Sequence, residues 1–296
     1  MSNARAVGTH PPGSAVDTGD AAGSKPCDVR LLLADVDGTL VNSNKVLTEA
    51  AEAAARELRD AGIRLAITSG RPPRGMRMLI EPLALQGPIA GFNGGVLVNP
   101  DLSVIETRML DASVAGRTVE LLLEHGLDVW VYTEDSWLIR NAHAPHVDRE
   151  VRTVAFDPIV VPAFGDVHLA HAVKIVGVSD DFARVADCEK AMQSALGETA
   201  SATRSQPYYL DVTHPRANKG EVVSMLSRLL GIPPEGIATI GDMPNDVLMF
   251  RSSGVSIAMC NASAEVKAQA SAVTDSNDDD GFAKAVRRFI LPARPR

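Results

Sequence analysis

The stretch "LLLADVDGTL", Leu31 to Leu40, passes from unbroken apolar residues into two aspartates and a glycine. Its apolar run is short and bounded by turn formers, which suits a strand buried on both faces of a parallel sheet. At the end of that run Asp35 and Asp37 lie two residues apart, so extended backbone sends both carboxylates to the same side. Like charges that close need a cation. Gly38 permits a tight turn that brings main-chain groups to the same point, and Thr39 adds a hydroxyl. A calcium loop of EF-hand type would need a third oxygen ligand before its glycine, a closing Glu and flanking helices. None of these is present.

Downstream, "LTEAAEAAARELRDAG" predicts a helix capped by Thr48, with an apolar stripe of Ala50, Ala54, Leu58 and Ala61 and a stop at Gly62. "IRLAITSG" reads as a second buried strand, and the strand, helix, strand unit is right-handed, with ligands expected at the carboxyl ends of its strands. The same grammar returns near the C-terminus. "KGEVVSMLSRLLG" places Val222, Val223, Leu226, Leu229 and Leu230 on one helical face, and the strand "GIATIGD" follows. "NDVLMFRSSG", "SAEVKAQA" and "GFAKAVRRFI" read as helices, and "VSIAM" and "AVT" as strands between them.

The middle of the chain has another texture. "GGVLVNPDLSVIETRML" reads as a hairpin turning at Asn99, Pro100 and Asp101. Helices at "ASVAGRTVELLLEHG" and "ARVADCEKAMQSAL" then alternate with strands at "LDVWVYT", "SWLIR", "HAVKIVGV" and "YYLDVT". The expected fold is α/β, a doubly wound parallel-sheet core at residues 28–110 and 207–296 with an inserted α+β cap domain at 111–206. Residues 1–27 are rich in Gly, Ala, Ser, Pro and Asp without the apolar core of a signal peptide, and read as a disordered tail.

With 296 residues the chain can bury a substantial core, and no apolar stretch reaches the roughly eighteen residues that suggest a membrane span. Its 29 basic and 37 acidic residues give a net charge of -8, which argues against sequence-independent binding to nucleic acid or anionic membrane. Cys27, Cys188 and Cys260 are few, scattered and without CxxC spacing, so neither a disulfide framework nor a zinc site is expected, and a cytoplasmic home is. His143 with His146, and His168 with His171, have HxxH spacing but fall near loops and strand edges of the cap, where surface roles are expected. Asp278, Asp279 and Asp280 read as a solvated run ahead of the last helix. Trp130, Tyr132 and Trp137 are expected to pack the cap.

A second acidic pair, Asp242 and Asp246 with Asn245 between them, follows an apolar strand in "IGDMPND". Four carboxylates at strand ends of one sheet make an oxygen-rich site suited to Mg2+. Ser69 and the Gly70 amide in "TSGRP" supply a hydroxyl and an N–H at another strand end, and Lys219 heads a helix. A metal site, phosphate-holding groups and a spare carboxylate form an inventory for phosphoryl transfer.

"DVDGT", the hydroxyl of "TSG", the lysine of "NKG" and "GDMPND", in that order, resemble the four motifs of the haloacid dehalogenase (HAD) superfamily. The insertion, together with "FNGG", "NKGEVV", "MCNASAEVKAQA" and "VTDSNDDDG", is similar to the Cof-like sugar-phosphatase subfamily with its C2B-type cap. The resemblance implies that Asp35 is the nucleophile that becomes an aspartyl-phosphate, and that Asp37 protonates the leaving alcohol and then deprotonates water. It also implies that Mg2+ is held by the Asp35 carboxylate, the Asp37 main-chain carbonyl and Asp242, with Asp246 supporting the metal shell or Lys219. Ser69, Gly70 and Asn245 would bind phosphoryl oxygens, and Lys219 would balance the charge of Asp35 and the phosphoryl group. The family's usual "NGA" is "NGG" here, and Met243 and Pro244 depart from the smaller or polar residues of many members.

The expectation is therefore a cytoplasmic Mg2+-dependent phosphatase of small phosphorylated metabolites, sugar phosphates foremost, either monomeric or a small homo-oligomer. The rival readings are a phosphomutase, a phosphatase for a nucleotide or pyridoxal phosphate, and a non-enzymatic phosphate or metal sensor. Asp37 argues against the sensor, because a positioned acid/base hastens the breakdown of an aspartyl-phosphate that a sensor must keep.

Overall fold

The computed structural model describes residues 29–291 together with Met1; the expected tail and Cys27 lie outside the described residues. Five strands precede the insertion: β1 (Leu31–Asp35), β2 (Arg64–Thr68), β3 (Ile89–Gly91), β4 (Val96–Val98) and β5 (Val104–Thr107). Six lie in it: β6 (Asp128–Tyr132), β7 (Trp137–Ile139), β8 (Ile159–Val160), β9 (Lys174–Val178), β10 (Ser201–Gln206) and β11 (Tyr209–Thr213). Three follow: β12 (Ile237–Gly241), β13 (Val255–Ala258) and β14 (Ala272–Val273).

The core sheet has the order β14-β13-β12-β1-β2-β3-β4-β5. Its first six members run parallel, and β4 and β5 form the expected antiparallel hairpin at one edge. Strand β1 lies at the centre with every residue buried. Leu32 and Ala34 face the layer containing helix Glu49–Asp60, whereas Leu31 and Leu33 face the layer containing helix Lys219–Leu230. Alternate residues of one strand thus fill two apolar layers, the doubly wound arrangement.

The helices form where the sequence places them, but their buried faces differ in detail. Thr48 caps the first by accepting from the Ala51 amide at 3.2 Å, and the residues turned inward are Ala51, Ala54, Ala55 and Leu58. Ala50 is half-buried and Ala61 exposed, because a helix built largely of alanine offers little size contrast to mark one face. On helix Lys219–Leu230, Met225 takes the buried place expected for Leu229, which is 48% exposed.

The cap sheet has the order β10-β11-β9-β6-β7-β8. Helices Ala112–Glu124 and Phe182–Leu196 cover one side, packing on Val129, Val131, Ile175, Leu210 and Val212. The opposite side, with Trp130, Tyr132 and Val176, joins core residues Met76, Leu79 and Phe92 in a single apolar cluster. Strand β11 pairs with β9 and β10, so the cap sheet runs past the expected boundary at Gln206; we place the return to the core between Thr213 and Lys219. Strand β10, "SATRSQ", is an edge strand with four consecutive exposed residues and no apolar alternation to announce it. Strands β3 and β8 and helix Val147–Val154 were likewise not anticipated.

The acidic run is not simply solvated. Asp278 accepts from the Ser43 amide at 2.8 Å and hydroxyl at 2.7 Å, and Asp280 accepts from the Thr48 hydroxyl at 2.7 Å, so the run ties the last helix to the loop after β1. His146 stacks on Tyr208 at 4.0 Å and meets Asp180 at 2.8 Å, while His168 accepts from the Gly165 amide. Cys188 and Cys260 are free. Among the described residues no helix is long and apolar enough to cross a membrane.

Candidate active site

Strands β12, β1 and β2 are adjacent and parallel, and Asp35 stands level with Thr68. Their carboxyl ends therefore deliver Asp242, Asp35 and Ser69 to one edge of the sheet, where ligands of such folds gather. Asn218 caps the next helix by accepting from the Glu221 amide at 3.0 Å, which sets Lys219 at its first position. Lys219 is 2% exposed, and its Nζ donates to Asp35 Oδ1 at 2.6 Å and to Asp246 Oδ1 at 2.5 Å. The other Asp246 oxygen accepts from the amides of Asp242 at 2.9 Å and Met243 at 2.8 Å. Both oxygens of Asp246 are committed, whereas Asp35 Oδ2 is buried with no partner.

Oxygens of Asp35, Asp242 and Asp246 lie within 4.8 Å of one another, the one such cluster among the described residues. Burial raises the Asp35 carboxyl well above its ordinary range; Lys219 opposes this, and Asp246 and Asp242 add to it. Burial and the neighbouring Asp246 charge push Asp242 up to about 6. For Lys219 burial works against the charge, but Asp246 and Asp35 outweigh it and raise its pKa. An orphaned carboxylate oxygen beside a carboxyl that resists ionisation is what a hard cation would relieve, and an all-oxygen donor set suits one. Gly38, at φ +83°, closes the cradle: a Cβ there would lie 2.4 Å from Asp242 Oδ2. Thr39 donates to Asp242 Oδ1 at 3.3 Å, and Asn261 bridges the Gly38 carbonyl at 2.9 Å and Asp242 Oδ2 at 3.1 Å.

Asp37 differs from expectation. Its carboxylate is not free: Arg71 Nε and Nη2 grip its two oxygens at 2.7 and 2.5 Å, and Lys45 Nζ adds a contact at 2.6 Å. Burial would raise its pKa, but the Arg71 fork, joined by Lys45, lowers it below the ordinary carboxylate value.

Ser69 is buried, and its hydroxyl accepts from the Arg71 amide at 3.1 Å. The Asn93 amide donates to the Ser69 carbonyl at 2.8 Å, and Asn245 Nδ2 reaches Asn93 Oδ1 at 3.3 Å. Asn93 is also the nearest neighbour of the open side of Gly70, at 3.7 Å from where a Cβ would stand. The fold thus unites Asp35, Asp37, Ser69, Lys219, Asp242 and Asp246, with Asn245 at the rim beside Asn93 and Gly70. Arg71, Lys45, Asn93 and Asn261 carried no assigned role in the sequence. Three of them stand inside the motif-like stretches "TSGRP", "FNGG" and "MCNASAEVKAQA", which was the available signal; Lys45 had none.

Carboxylates, a hydroxyl and a buried ammonium converging on the ends of parallel strands define an α/β enzyme of phosphoryl transfer. The sequence matches haloacid dehalogenase-like hydrolases over residues 32–286, and the chain belongs to that family. It is a HAD-type phosphatase of small phosphorylated metabolites with a Cof-like cap. A 5-amino-6-(5-phospho-D-ribitylamino)uracil phosphatase of Bacillus subtilis (strain 168) is 26% identical over 264 residues, covering 89% of this chain and 97% of its own. A pyridoxal phosphate phosphatase of Escherichia coli (strain K12) is 26% identical over 272 residues, covering 88% and 99%. The structure of a HAD subclass IIB sugar phosphatase superposes with a TM-score of 0.76 at 21% identity, covering 88% of this chain and 99% of that one, and shares the fold.

Proposed function

We propose that this chain hydrolyses phosphomonoesters of small hydroxylated metabolites, sugar phosphates foremost, in the cytoplasm, with Mg2+ and through an aspartyl-phosphate on Asp35. The observation that carries the reading is the asymmetry of Asp35: one oxygen is tied to buried Lys219, and the other is buried without a partner. Asp35 forms the bond to phosphorus as the ester oxygen departs, and Lys219 offsets the charge that gathers between carboxylate and phosphoryl group. Ser69, the Gly70 amide and Asn245 orient the phosphoryl oxygens. Bound Mg2+ would be held by the Asp35 carboxylate, the Asp37 main-chain carbonyl and Asp242, and supplies positive charge against the phosphate. Asp246 steadies Lys219 and the Asp242 amide rather than taking a ligand place.

Asp37 must hold a proton when the alkoxide leaves, which its grip by Arg71 and Lys45 disfavours. A phosphate dianion entering beside it reverses that balance, because its charge raises the proton affinity of Asp37 and competes for the guanidinium and ammonium. Asp37 then protonates the leaving oxygen and later takes the proton of the water that attacks phosphorus, releasing Asp35. The activity of the Escherichia coli relative places pyridoxal phosphate in the same assay panel. The deciding experiment is phosphate release from an aryl phosphate with and without Mg2+, in wild type and Asp35→Asn. Mg2+-dependent release lost in the variant is expected; Mg2+-dependent release that survives it overturns the nucleophile assignment.

A further inference from the structure

Strands β3 and β4 are joined by the turn "FNGG", Phe92 to Gly95, and three consecutive residues of it carry left-handed backbone: Phe92 at φ +53°, Asn93 at φ +57° and Gly94 at φ +102°. Glycine adopts that conformation freely and asparagine tolerates it, but a bulky aromatic residue does so only where its surroundings impose it. Here they do so from two sides. The Phe92 ring is 1% exposed and packs 5.5 Å from the Tyr132 ring of the cap. The Phe92 amide donates to the Arg71 carbonyl at 2.9 Å and the Asn93 amide to the Ser69 carbonyl at 2.8 Å, which fastens the turn alongside the loop that carries Ser69 and Gly70.

A turn between antiparallel strands does not itself need a phenylalanine at positive φ, since Asn-Gly or Gly-Gly would close it without strain. What the strained path achieves is the placement of the Asn93 side chain. Its Nδ2 lies 3.7 Å from where a Cβ on Gly70 would stand, and its Oδ1 accepts from Asn245 Nδ2 at 3.3 Å. Asn93 is half-buried, and no acceptor among the described residues takes either N–H of its Nδ2. Asn245 spends one N–H on Asn93 and keeps the other.

We propose that Asn93 binds the phosphoryl group of the substrate, donating from Nδ2 to one of its oxygens while Oδ1 holds Asn245 in place to donate to the same group. This rests on the phosphatase reading above and adds a residue to it. The cations of the site are already engaged by carboxylates, Lys219 by Asp35 and Asp246, and Arg71 and Lys45 by Asp37. A phosphoryl group has three strong acceptor oxygens, and a neutral amide beside Gly70 supplies donors to them without a carboxylate competing for it. If Asn93 were present only because asparagine tolerates a positive φ, glycine would replace it without loss.

The test compares full-length wild type, Asn93→Gly and Asn93→Asp with Mg2+, measuring the urea midpoint and kcat/KM for 4-nitrophenyl phosphate and for the best substrate of a sugar-phosphate panel. Glycine suits the left-handed backbone, so Asn93→Gly keeps the wild-type midpoint, yet its kcat/KM falls roughly tenfold. Asn93→Asp retains the acceptor for Asn245 but sets a carboxylate against the phosphoryl oxygens, and its kcat/KM falls roughly a hundredfold. In each variant both substrates lose by the same factor, because the phosphoryl group is what they share. Wild-type kcat/KM in Asn93→Gly overturns the proposal, since the residue would then serve the backbone alone. A loss confined to one substrate also overturns it by moving the contact to the leaving group, and so does a loss that comes with a lowered midpoint in both variants. A wild type that turns over neither substrate removes the phosphatase reading, and the proposal with it.

Discussion

Asp242 offers a perturbation whose sign changes with metal and pH. Burial and the Asp246 charge lift its carboxyl from 3.8 to about 6, so the folded chain binds that proton more tightly than the unfolded one. The resulting stability is fully present below the unfolded value and is lost as pH rises through about 6. Two units correspond to roughly 3 kcal/mol of penalty for holding the charged form in the metal-free fold at pH 8. Asp242→Asn removes that penalty but leaves one amide opposite the Asn261 Nδ2 donor, a loss of roughly 1 kcal/mol. The variant is therefore about 2 kcal/mol more stable than wild type at pH 8 in EDTA, while at pH 4.5, where the penalty has shrunk to roughly 1 kcal/mol, it shows no gain. Urea unfolding followed by tryptophan fluorescence reads this, since Trp130 and Trp137 are buried in the cluster that joins cap and core. Mg2+ should raise the wild-type midpoint and leave the variant unmoved. A variant destabilised equally at both pH values refutes the reasoning, because Asp242 would then be a structural hydrogen-bonding group and not a strained carboxylate.

Two further substitutions test the cradle. Gly38→Ala places a Cβ against Asp242 in a left-handed backbone; it should cost about 2 kcal/mol in stability and lower kcat at least roughly tenfold, measured by denaturation and phosphate release. Asp246→Asn weakens the support of Lys219 and the Asp242 amide, and should reduce apparent Mg2+ affinity or kcat roughly ten- to a hundredfold in a metal titration of activity.

The parts of the site legible in the sequence are those fixed by local rules. A buried strand must end somewhere, and "LLLAD" and "IATIGD" end on carboxylates, so Asp35 and Asp242 follow from strand geometry once the two strands are taken as neighbours. Lys219 follows from its place at a helix start. The grip on Asp37 did not follow, because Arg71 lies 34 residues away and its direction depends on how the chain leaves β2. Nor did the role of Asp278 and Asp280, whose partners Ser43 and Thr48 are more than two hundred residues distant. The cap was read least well at its margin: β10 is polar and exposed, so nothing in its pattern revealed that β11 pairs with it in the cap sheet.

The central claim is covalent attachment of the phosphoryl group to Asp35. Its most direct test is an acid quench of wild-type enzyme during turnover of a labelled phosphomonoester, followed by peptide mapping. The account predicts label on the peptide containing Asp35, dependent on Mg2+ and absent in Asp35→Asn. Turnover without label on that peptide, or label on another residue, would contradict it.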